Sequence, residues 1–275
     1  MMKRYIRVFD NHSDYENYLN SGDMLLPNVS HCVTQDDVHY NPFVDYSTQY
    51  FTIESLVDNN DIRIIVNNNG NSSGWIGPVS YSLDDGKTWT EYQSNQSGLT
   101  TYVVATVNAG EKVLFKGENI EYNNWMYGAS TRLNASDEYV VYGNIKSLVY
   151  GDNFVNAVVD ENAQANSFRH FFSADTNLIS AKNLMLSLYG DNYYMFKNCT
   201  NLVDAPKITF VPQNFFATFE NCSSLIKEAE LPSQYTPSHK FDCYCDGMYY
   251  GTGLSYDEAN GIYPQQAYQE GVPLE

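Results

Sequence analysis

The last third of the chain repeats a short sequence block, and this repeat constrains the fold more than any other feature. The blocks read FFSADTNL from Phe171, MFKNCTNL from Met195, TFENCSSL from Thr218 and, one residue shorter, MYYGTGL from Met248. Their final leucines, at positions 178, 202, 225 and 254, are 24, 23 and 29 residues apart. A fixed leucine at a period of about 20–29 residues is typical of leucine-rich solenoids. A single repeat cannot bury its own apolar face, so the pattern predicts that neighbouring repeats stack.

Composition and charge exclude several classes of partner. Hydrophobic residues make up 43% of the 275 residues, which is enough for a buried core, and no run approaches the ~18 consecutive apolar residues of a membrane span. The chain has 15 basic and 33 acidic residues, a net charge of −18, and lacks the Lys and Arg clusters that nucleic-acid binding requires. We therefore expect no nucleic acid and no membrane span. The stretch Met1–Tyr15 has no apolar run behind its basic residues, so a secretory signal is not predicted.

The chain before the repeats divides into two predicted regions. Residues 1–48 are predicted to be an attachment segment, with a short helix over Ser13–Asn20 and a small hairpin of Val29–Val33 and Val38–Tyr40. Residues 49–142 are predicted to be an immunoglobulin-like β-sandwich, because half a dozen short alternating strands are separated by Gly, Asn and Asp turns. Residues 143–275 follow as a leucine-rich-repeat solenoid with a C-terminal cap, so the predicted fold class is mainly β.

The residues that usually carry chemistry form no catalytic pattern here, and we predict no catalytic residue, cofactor or metal site. Ser82–Trp89 matches the Asp-box turn S-x-D-x-G-x-T-W. In such a turn Asp84 accepts hydrogen bonds from turn amides, Gly86 takes a positive φ and Trp89 covers the sheet. The acidic stretch Asp58–Asp61 offers oxygen ligands to calcium but lacks the twelve-residue loop signature, so calcium is the weaker interpretation.

The cysteine and asparagine residues inside the repeats are predicted to stabilise the stacking of the repeats. Cys199 and Cys222 occupy the same place in successive repeats, which favours a ladder of buried thiols acting as small apolar side chains. The stretch Cys243–Cys245 lacks the spacing and the second pair of a zinc site. The amides of Asn198 and Asn221 are expected to satisfy turn carbonyls within the stack.

Longer stretches of the sequence resemble known proteins. Met195–Ile208 and Thr218–Pro232 resemble the leucine-rich repeats of BspA type in surface proteins of gut Bacteroidales. Together, Tyr81–Trp89, Gly143–Phe154 and the leading segment Leu25–Tyr40 resemble virion proteins of Bacteroides bacteriophages of the crAss-like group. The resemblance implies a non-enzymatic head fibre or other appendage subunit on the surface of the virion. It also implies an oligomer that is held by its N-terminal segment to the capsid or to other fibre proteins, with distal domains that face a partner or a host-surface or mucin glycan.

Three alternatives stay open at this point. One is a bacterial cell-surface leucine-rich-repeat adhesin, which would need an export signal or a lipoprotein cysteine, and neither is visible in the sequence. The second is a phage tail fibre or another tail-associated protein. A glycan hydrolase with a carboxylate pair brought together by folding is the least favoured of the three.

Overall fold

The structure is a computed structural model, and its described residues are mainly β, which confirms the predicted class. It describes residues 5–9, 29–33, 38–40, 45–68, 79–92, 98–118, 131–158, 168–186, 192–209, 217–226, 229, 249 and 251–253. The chain divides into two compact units, Met1–Asp45 and Tyr46–Glu275. The helix predicted over Ser13–Asn20, the pair Cys243 and Cys245, and the fourth repeat leucine lie outside the described residues.

The first unit contains a three-stranded sheet in the order β1-β2-β3. Strands β2 (Val29–Val33) and β3 (Val38–Tyr40) are antiparallel, with Val33 opposite Val38. This confirms the predicted hairpin. Strand β1 (Tyr5–Phe9) pairs in parallel with β2, and the sequence analysis missed it.

The second unit contains a seven-stranded sheet in the order β13-β12-β11-β4-β9-β6-β7. Its strands are β4 (Phe51–Ser55), β6 (Val79–Ser82), β7 (Thr90–Tyr92), β9 (Lys112–Gly117), β11 (Tyr139–Asn144), β12 (Leu178–Leu186) and β13 (Lys207–Ile208). Along the sheet, the neighbouring strands β7, β6, β9, β4 and β11 are paired antiparallel. Strands β11, β12 and β13 run parallel to one another. Parallel neighbours are what successive turns of a repeat produce, because each repeat places its strand in the same direction.

A second sheet has the order β10-β5-β8 and is wholly antiparallel. Its strands are β10 (Thr131–Ala135), β5 (Asn60–Asn68) and β8 (Gly98–Val107). Alternate residues of these strands turn towards a shared core, as a side-chain period of two requires. Ile62 and Ile64 of β5 are fully buried, as are Phe51 and Ile53 of the central strand β4.

The seven-stranded sheet continues across the place where the repeats begin. Strand β11 pairs with β4 through Tyr139–Tyr142 and with β12 through Tyr139–Asn144. The boundary predicted between residues 142 and 143 therefore lies inside one strand. Gly143 has a φ of +88°, and a Cβ at this position would collide with the carbonyl of Tyr50. A single helical turn, α1 (Ser147–Tyr150), and a 3-10 turn, Gly151–Asn153, follow β11. Among the described residues, no helix is long and apolar enough to cross a bilayer.

Candidate interaction surface of the repeats

Each repeat contributes one aromatic ring to a continuous stack, here called the aromatic ladder: Phe172, Phe196, Phe219 and Tyr249. Successive ring centroids are 5.1, 5.2 and 5.5 Å apart, with interplanar angles of 17°, 13° and 6°. The ring of Phe51 in β4 lies 6.3 Å from Phe172 at 27°, so the ladder begins on the β-sheet core. The repeat leucines Leu178, Leu202 and Leu225 are fully buried beside it. Neighbouring repeats therefore stack on one another and bury their repeated apolar positions.

Backbone hydrogen bonds join the same places of successive repeats. The N–H of Phe172 donates to the carbonyl of Met195 at 2.9 Å, and the N–H of Ala174 donates to that of Lys197 at 2.7 Å. One repeat later, the N–H of Phe196 donates to Thr218 and that of Asn198 to Glu220, both at 2.8 Å. The next repeat thus satisfies the N–H groups of Phe172, Ala174, Phe196 and Asn198, and separating these repeats would break all four bonds.

The turns around Phe172, Phe196 and Phe219 each use two residues with positive φ. One lies two positions before the ring and the other lies two positions after it. The second of these places holds Ala174, Asn198 and Asn221, with φ of 60°, 63° and 60°. Asparagine is tolerated there because its short polar side chain lowers the cost of the left-handed conformation. Gly251 takes this place in the last described repeat, with a φ of +70°, and a Cβ on it would collide with the side-chain oxygen of Asn221.

The asparagine side chains pair with one another, not with the turn backbone as predicted. The amide nitrogen of Asn221 donates to the side-chain oxygen of Asn198 at 3.0 Å. The prediction of a turn-carbonyl acceptor was therefore wrong for Asn221. Repeats in register place equivalent side chains next to each other. The amide of Asn221 is therefore close enough to the equivalent amide, that of Asn198, to donate to it.

The predicted ladder of buried thiols is confirmed. Cys199 and Cys222 are both free and completely buried. Each thiol donates to the ring residue's carbonyl in the preceding repeat, Cys199 to Phe172 and Cys222 to Phe196, both at 3.0 Å. Burial raises the pKa of the Cys199 thiol well above its ordinary value. The raised pKa keeps the Cys199 thiol protonated, and the thiolate is the nucleophilic form.

Asp175 occupies the cysteine position in the first repeat and was missed by the sequence analysis. Its carboxylate accepts a hydrogen bond from the Tyr139 hydroxyl at 2.7 Å and one from the Asn177 N–H at 3.0 Å. Burial raises the pKa of Asp175, and burial next to this carboxylate raises the pKa of Tyr139 well above its usual value. The pair connects strand β11 to the first repeat. Aligning FFSADTNL with MFKNCTNL would have revealed it, since a carboxylate there stands where its neighbours bury a thiol.

The Asp-box turn has the predicted geometry. Asp84 accepts from the Thr88 N–H at 2.8 Å, from the Thr88 hydroxyl at 2.7 Å and from the Ser82 hydroxyl at 2.8 Å. These donors, led by the backbone N–H of Thr88, lower the pKa of Asp84 to about 2. Gly86 has a φ of 82°, and the indole of Trp89 donates to its carbonyl at 3.1 Å. Every characteristic residue of the box thus shapes its own turn.

Trp89 also takes part in a cluster that the sequence analysis did not foresee. Its ring packs against Tyr50, with centroids 4.8 Å apart, and the ammonium of Lys116 lies 4.3 Å from its centre. Asp152, in the Gly143–Phe154 stretch, accepts from the Tyr50 hydroxyl at 2.7 Å and from Lys116 at 2.8 Å. Burial and the bond to Asp152 raise the pKa of Tyr50 to about 12. Tyr50 and Lys116 therefore bridge the two stretches that carry the phage resemblance, one through Trp89 and the other through Asp152.

The candidate calcium stretch is engaged in local hydrogen bonds. Asn60 is completely buried; it donates to the Ser55 hydroxyl and the Glu138 carbonyl, and it accepts from the Ser136 hydroxyl and the Asp137 N–H, all within 2.9–3.0 Å. Asp58 accepts from the Ala109 N–H and Asp61 from the Thr106 hydroxyl. Within the described ranges, no three His, Cys, Asp or Glu side chains are grouped so that they could hold a metal ion.

The outer side of the repeats carries apolar, aromatic and charged side chains. The residues that follow two of the buried leucines, Val203 and Ile226, are 36% and 70% exposed. Lys197 lies 4.0 Å above the ring of Tyr194 and pairs with the buried Glu220 of the next repeat at 2.8 Å, so this ion pair belongs to the contact between repeats, while Arg169 lies 5.2 Å above the ring of Tyr193. The exposed Val203 and Ile226 offer apolar contact area at two successive repeats.

Comparison with known proteins gives no match of any kind. No protein-family model matches the chain, no curated protein is similar to it, and no solved structure is similar to the fold.

Proposed function

We propose that this chain is a non-enzymatic structural protein of a bacteriophage virion, an appendage subunit such as a head fibre in phages of the crAss-like group. In this proposal residues 1–48 attach the subunit to the capsid or to another fibre protein. Residues 49–142 form an immunoglobulin-like spacer, and residues 143–275 form a BspA-type leucine-rich solenoid. The outer surface of the repeats contacts a partner or a glycan.

The observation that supports this proposal best is the use of the repeat interior for stacking. The rings of the aromatic ladder and the repeat leucines fill the interior. The thiols of Cys199 and Cys222 are bonded to carbonyls of the neighbouring repeat. A chain built in this way extends a surface by adding repeats, which suits an appendage that has to reach a partner.

The N-terminal attachment role has separate support. The first 45 residues form a compact unit with their own sheet, and the second unit begins at Tyr46. A cut between these units leaves every described strand pair intact. We therefore expect residues 46–275 to fold without the first unit.

The test is incorporation into particles. Phage particles assembled with the full chain should contain it by mass spectrometry, and particles assembled with residues 46–275 alone should lack it. The truncated chain should still unfold cooperatively in denaturant. Full incorporation of the truncated chain would overturn the attachment role, and absence of the full chain from purified particles would overturn the virion assignment.

The same experiment separates the alternatives. An adhesin would be found with the bacterial cell surface and not with particles. Immunogold labelling with an antibody to the repeats would place label at the capsid for a head fibre and at the tail for a tail fibre. Ile226→Lys is a suitable control, because this residue is 70% exposed and its replacement should leave incorporation unchanged.

A further inference from the structure

Strand β8 lies at the outside of its sheet and is unusually long for an edge strand. It has ten residues, Gly98–Val107, in a sheet ordered β10-β5-β8. Of the strands that the structure describes, only β5 borders it. An edge strand turns a row of N–H and C=O groups outward, where another strand can pair with them.

The sequence of β8 lacks the features that usually prevent such pairing. GLTTYVVATV contains no charged residue and no proline, the two commonest protections of natural edges. The register shifts between Ile62 and Arg63 of β5, which makes Val104 an extra residue on β8. The six residues before this bulge, Gly98–Val103, pair regularly with Arg63–Asn68 and form a straight edge. This segment is called the β8 edge below.

The opposite edge of the same sheet is different. Strand β10 has five residues, and its Arg132 donates to the carbonyl of Ser173 at 2.9 Å. A short edge strand that carries a charged residue is poorly suited to pair with a further strand. The two outer strands of one sheet are therefore not equivalent.

The β8 edge also exposes apolar side chains on both of its faces. Tyr102 is 39% exposed and Val103 is 43% exposed, and successive residues of a strand point to opposite faces. The ring of Tyr102 stacks on Tyr92 at 4.6 Å, so it is held in place on its face of the sheet. A strand added beside β8 would find apolar contacts above and below the new ladder, in addition to the backbone hydrogen bonds.

We propose that the β8 edge pairs with the β8 edge of a second copy of this chain, antiparallel and about a two-fold axis, to form a six-stranded sheet. An identical strand is complementary without further adjustment, because a two-fold axis sets each donor row against the matching acceptor row. The edge itself adds no like-charge contact to such a pair. Each chain carries a net charge of −18, but the ten residues of β8 are uncharged, so their pairing brings no two like charges together.

A partner selected by charge would be drawn to the acidic surfaces of the chain and not to an uncharged strand with apolar residues on both faces. The inference concerns self-association and holds whether or not the protein belongs to a virion.

The test is sedimentation velocity of the full chain from low to high micromolar concentration. We expect a reversible dimer. Thr101 is exposed and lies opposite the uncharged Ile65, so Thr101→Lys adds a charge to the edge without disturbing the pairing to β5. The two added lysines bring like charges into the paired edges, which should raise the dimer dissociation constant by at least about tenfold, or about 1.4 kcal/mol.

The matched control is Thr176→Lys, the same change at an exposed turn residue of the first repeat. It should leave the dissociation constant within about twofold of the wild type. A wild-type chain that stays monomeric over the whole concentration range overturns the proposal, and so do equal effects of the two variants.

A second measurement keeps the proposal testable if Thr101→Lys fails to fold. Amide hydrogen exchange of the wild-type chain should slow with rising protein concentration within Gly98–Val103 and stay constant in β10. Exchange in the β8 edge that does not depend on concentration would contradict self-pairing. Slowing confined to another segment would place the interface there and overturn the proposal as well.

Discussion

The β region, residues 46–144, and the repeat region, residues 168–253, are held together in opposite ways. In the β region the buried polar contacts are unique: Asn60 makes four hydrogen bonds to Ser55, Ser136, Asp137 and Glu138. In the repeat region the contacts are copies of one another, and Phe196 lies between Phe172 and Phe219, which hold its own position in the adjacent repeats. One region obtains its order from individual hydrogen-bond networks and the other from repetition.

This difference has an energetic consequence. In a stack, the stability of each repeat depends on its two neighbours, so a defect is felt mainly by the adjacent repeats. In the β region, Asn60 joins segments more than 70 residues apart in sequence, so a defect there loosens several strands at once. Substitutions at matched sites in the two regions should therefore differ in their effect on cooperativity as well as on stability.

The largest effect is expected for Phe196→Ala. The ring is completely buried between two other rings, and its removal leaves a cavity in the middle of the aromatic ladder. Loss of a buried phenylalanine costs about 3–5 kcal/mol. Guanidinium unfolding followed by far-ultraviolet circular dichroism should show this loss, with repeat segments becoming exposed to hydrogen exchange before β4 and β9.

The control for this change is Ile226→Ala in the same repeat region. Ile226 is 70% exposed, and its truncation should change the free energy of unfolding by no more than about 0.5 kcal/mol. If Phe196→Ala and Ile226→Ala destabilised the chain equally, the stacked arrangement of the repeats would be contradicted.

A smaller loss is expected for Asn60→Ala. The substitution removes the four hydrogen bonds of this buried side chain and takes the Asn60 partner from the Asp137 N–H, whereas the Glu138 carbonyl keeps the N–H of Leu56. We expect a loss of about 1–3 kcal/mol in a single cooperative transition. Asn59→Gly is the control: Asn59 is exposed with a φ of 59°, and glycine takes that conformation readily, so no loss should be seen.

The sequence predicted those parts of the structure that depend on neighbours along the chain or on a period. The hairpin of β2 and β3 follows from a short turn between two apolar runs. The Asp-box geometry follows from residues within eight positions of one another. The thiol ladder follows from the equal spacing of Cys199 and Cys222 from their repeat leucines. In each case the deciding interaction is local or repeated, and a single sequence displays it.

The parts that were missed depend on pairing between distant segments. Strand β1 was missed because its partner β2 lies about 20 residues away and is parallel to it. The continuation of β11 into the repeats was missed because its pairing with β4 joins residues 84 to 90 positions apart, from Tyr139 with Ser55 to Tyr142 with Thr52. The bond from Tyr139 to Asp175 and the contact of Tyr50 with Asp152 belong to the same class. No periodic signal precedes such contacts, because packing alone selects them.

Two carboxylates, Asp84 in the β region and Asp175 at the start of the repeats, should contribute to the pH dependence of stability with opposite signs. Asp84, in the β region, has its pKa lowered to about 2 by hydrogen-bond donors, so its stabilising contribution is present above the ordinary value of 3.8 and is lost as the pH falls towards 2. Asp175, at the start of the repeats, has its pKa raised by burial. Its contribution is present below 3.8 and is lost as the pH rises through the raised value.

The measurement is the free energy of unfolding against pH for wild type, Asp84→Asn and Asp175→Asn. Asp84→Asn should reduce the fall in stability between pH 4 and pH 2, and Asp175→Asn should reduce the fall that begins above pH 4. The slope of the free energy of unfolding against pH is the quantity to compare, because an asparagine also changes hydrogen bonding at every pH. Slopes of the same sign for both variants would contradict the opposite environments of the two carboxylates.

The smallest effect is expected at Asn198, where a single residue tests how repetition sets backbone conformation. Its φ of 63° is unfavourable for alanine by about 1–2 kcal/mol, and its side-chain oxygen accepts from Asn221 at 3.0 Å. Asn198→Gly removes the same hydrogen bond but accepts the conformation. Asn198→Ala should therefore unfold at lower denaturant than Asn198→Gly, by about 1 kcal/mol. Equal stability of the two variants would mean that the hydrogen bond between Asn198 and Asn221, and not the left-handed conformation, accounts for asparagine at this position. The turn would then be free to vary between repeats, whereas Ala174, Asn198 and Asn221 all adopt it despite their different side chains.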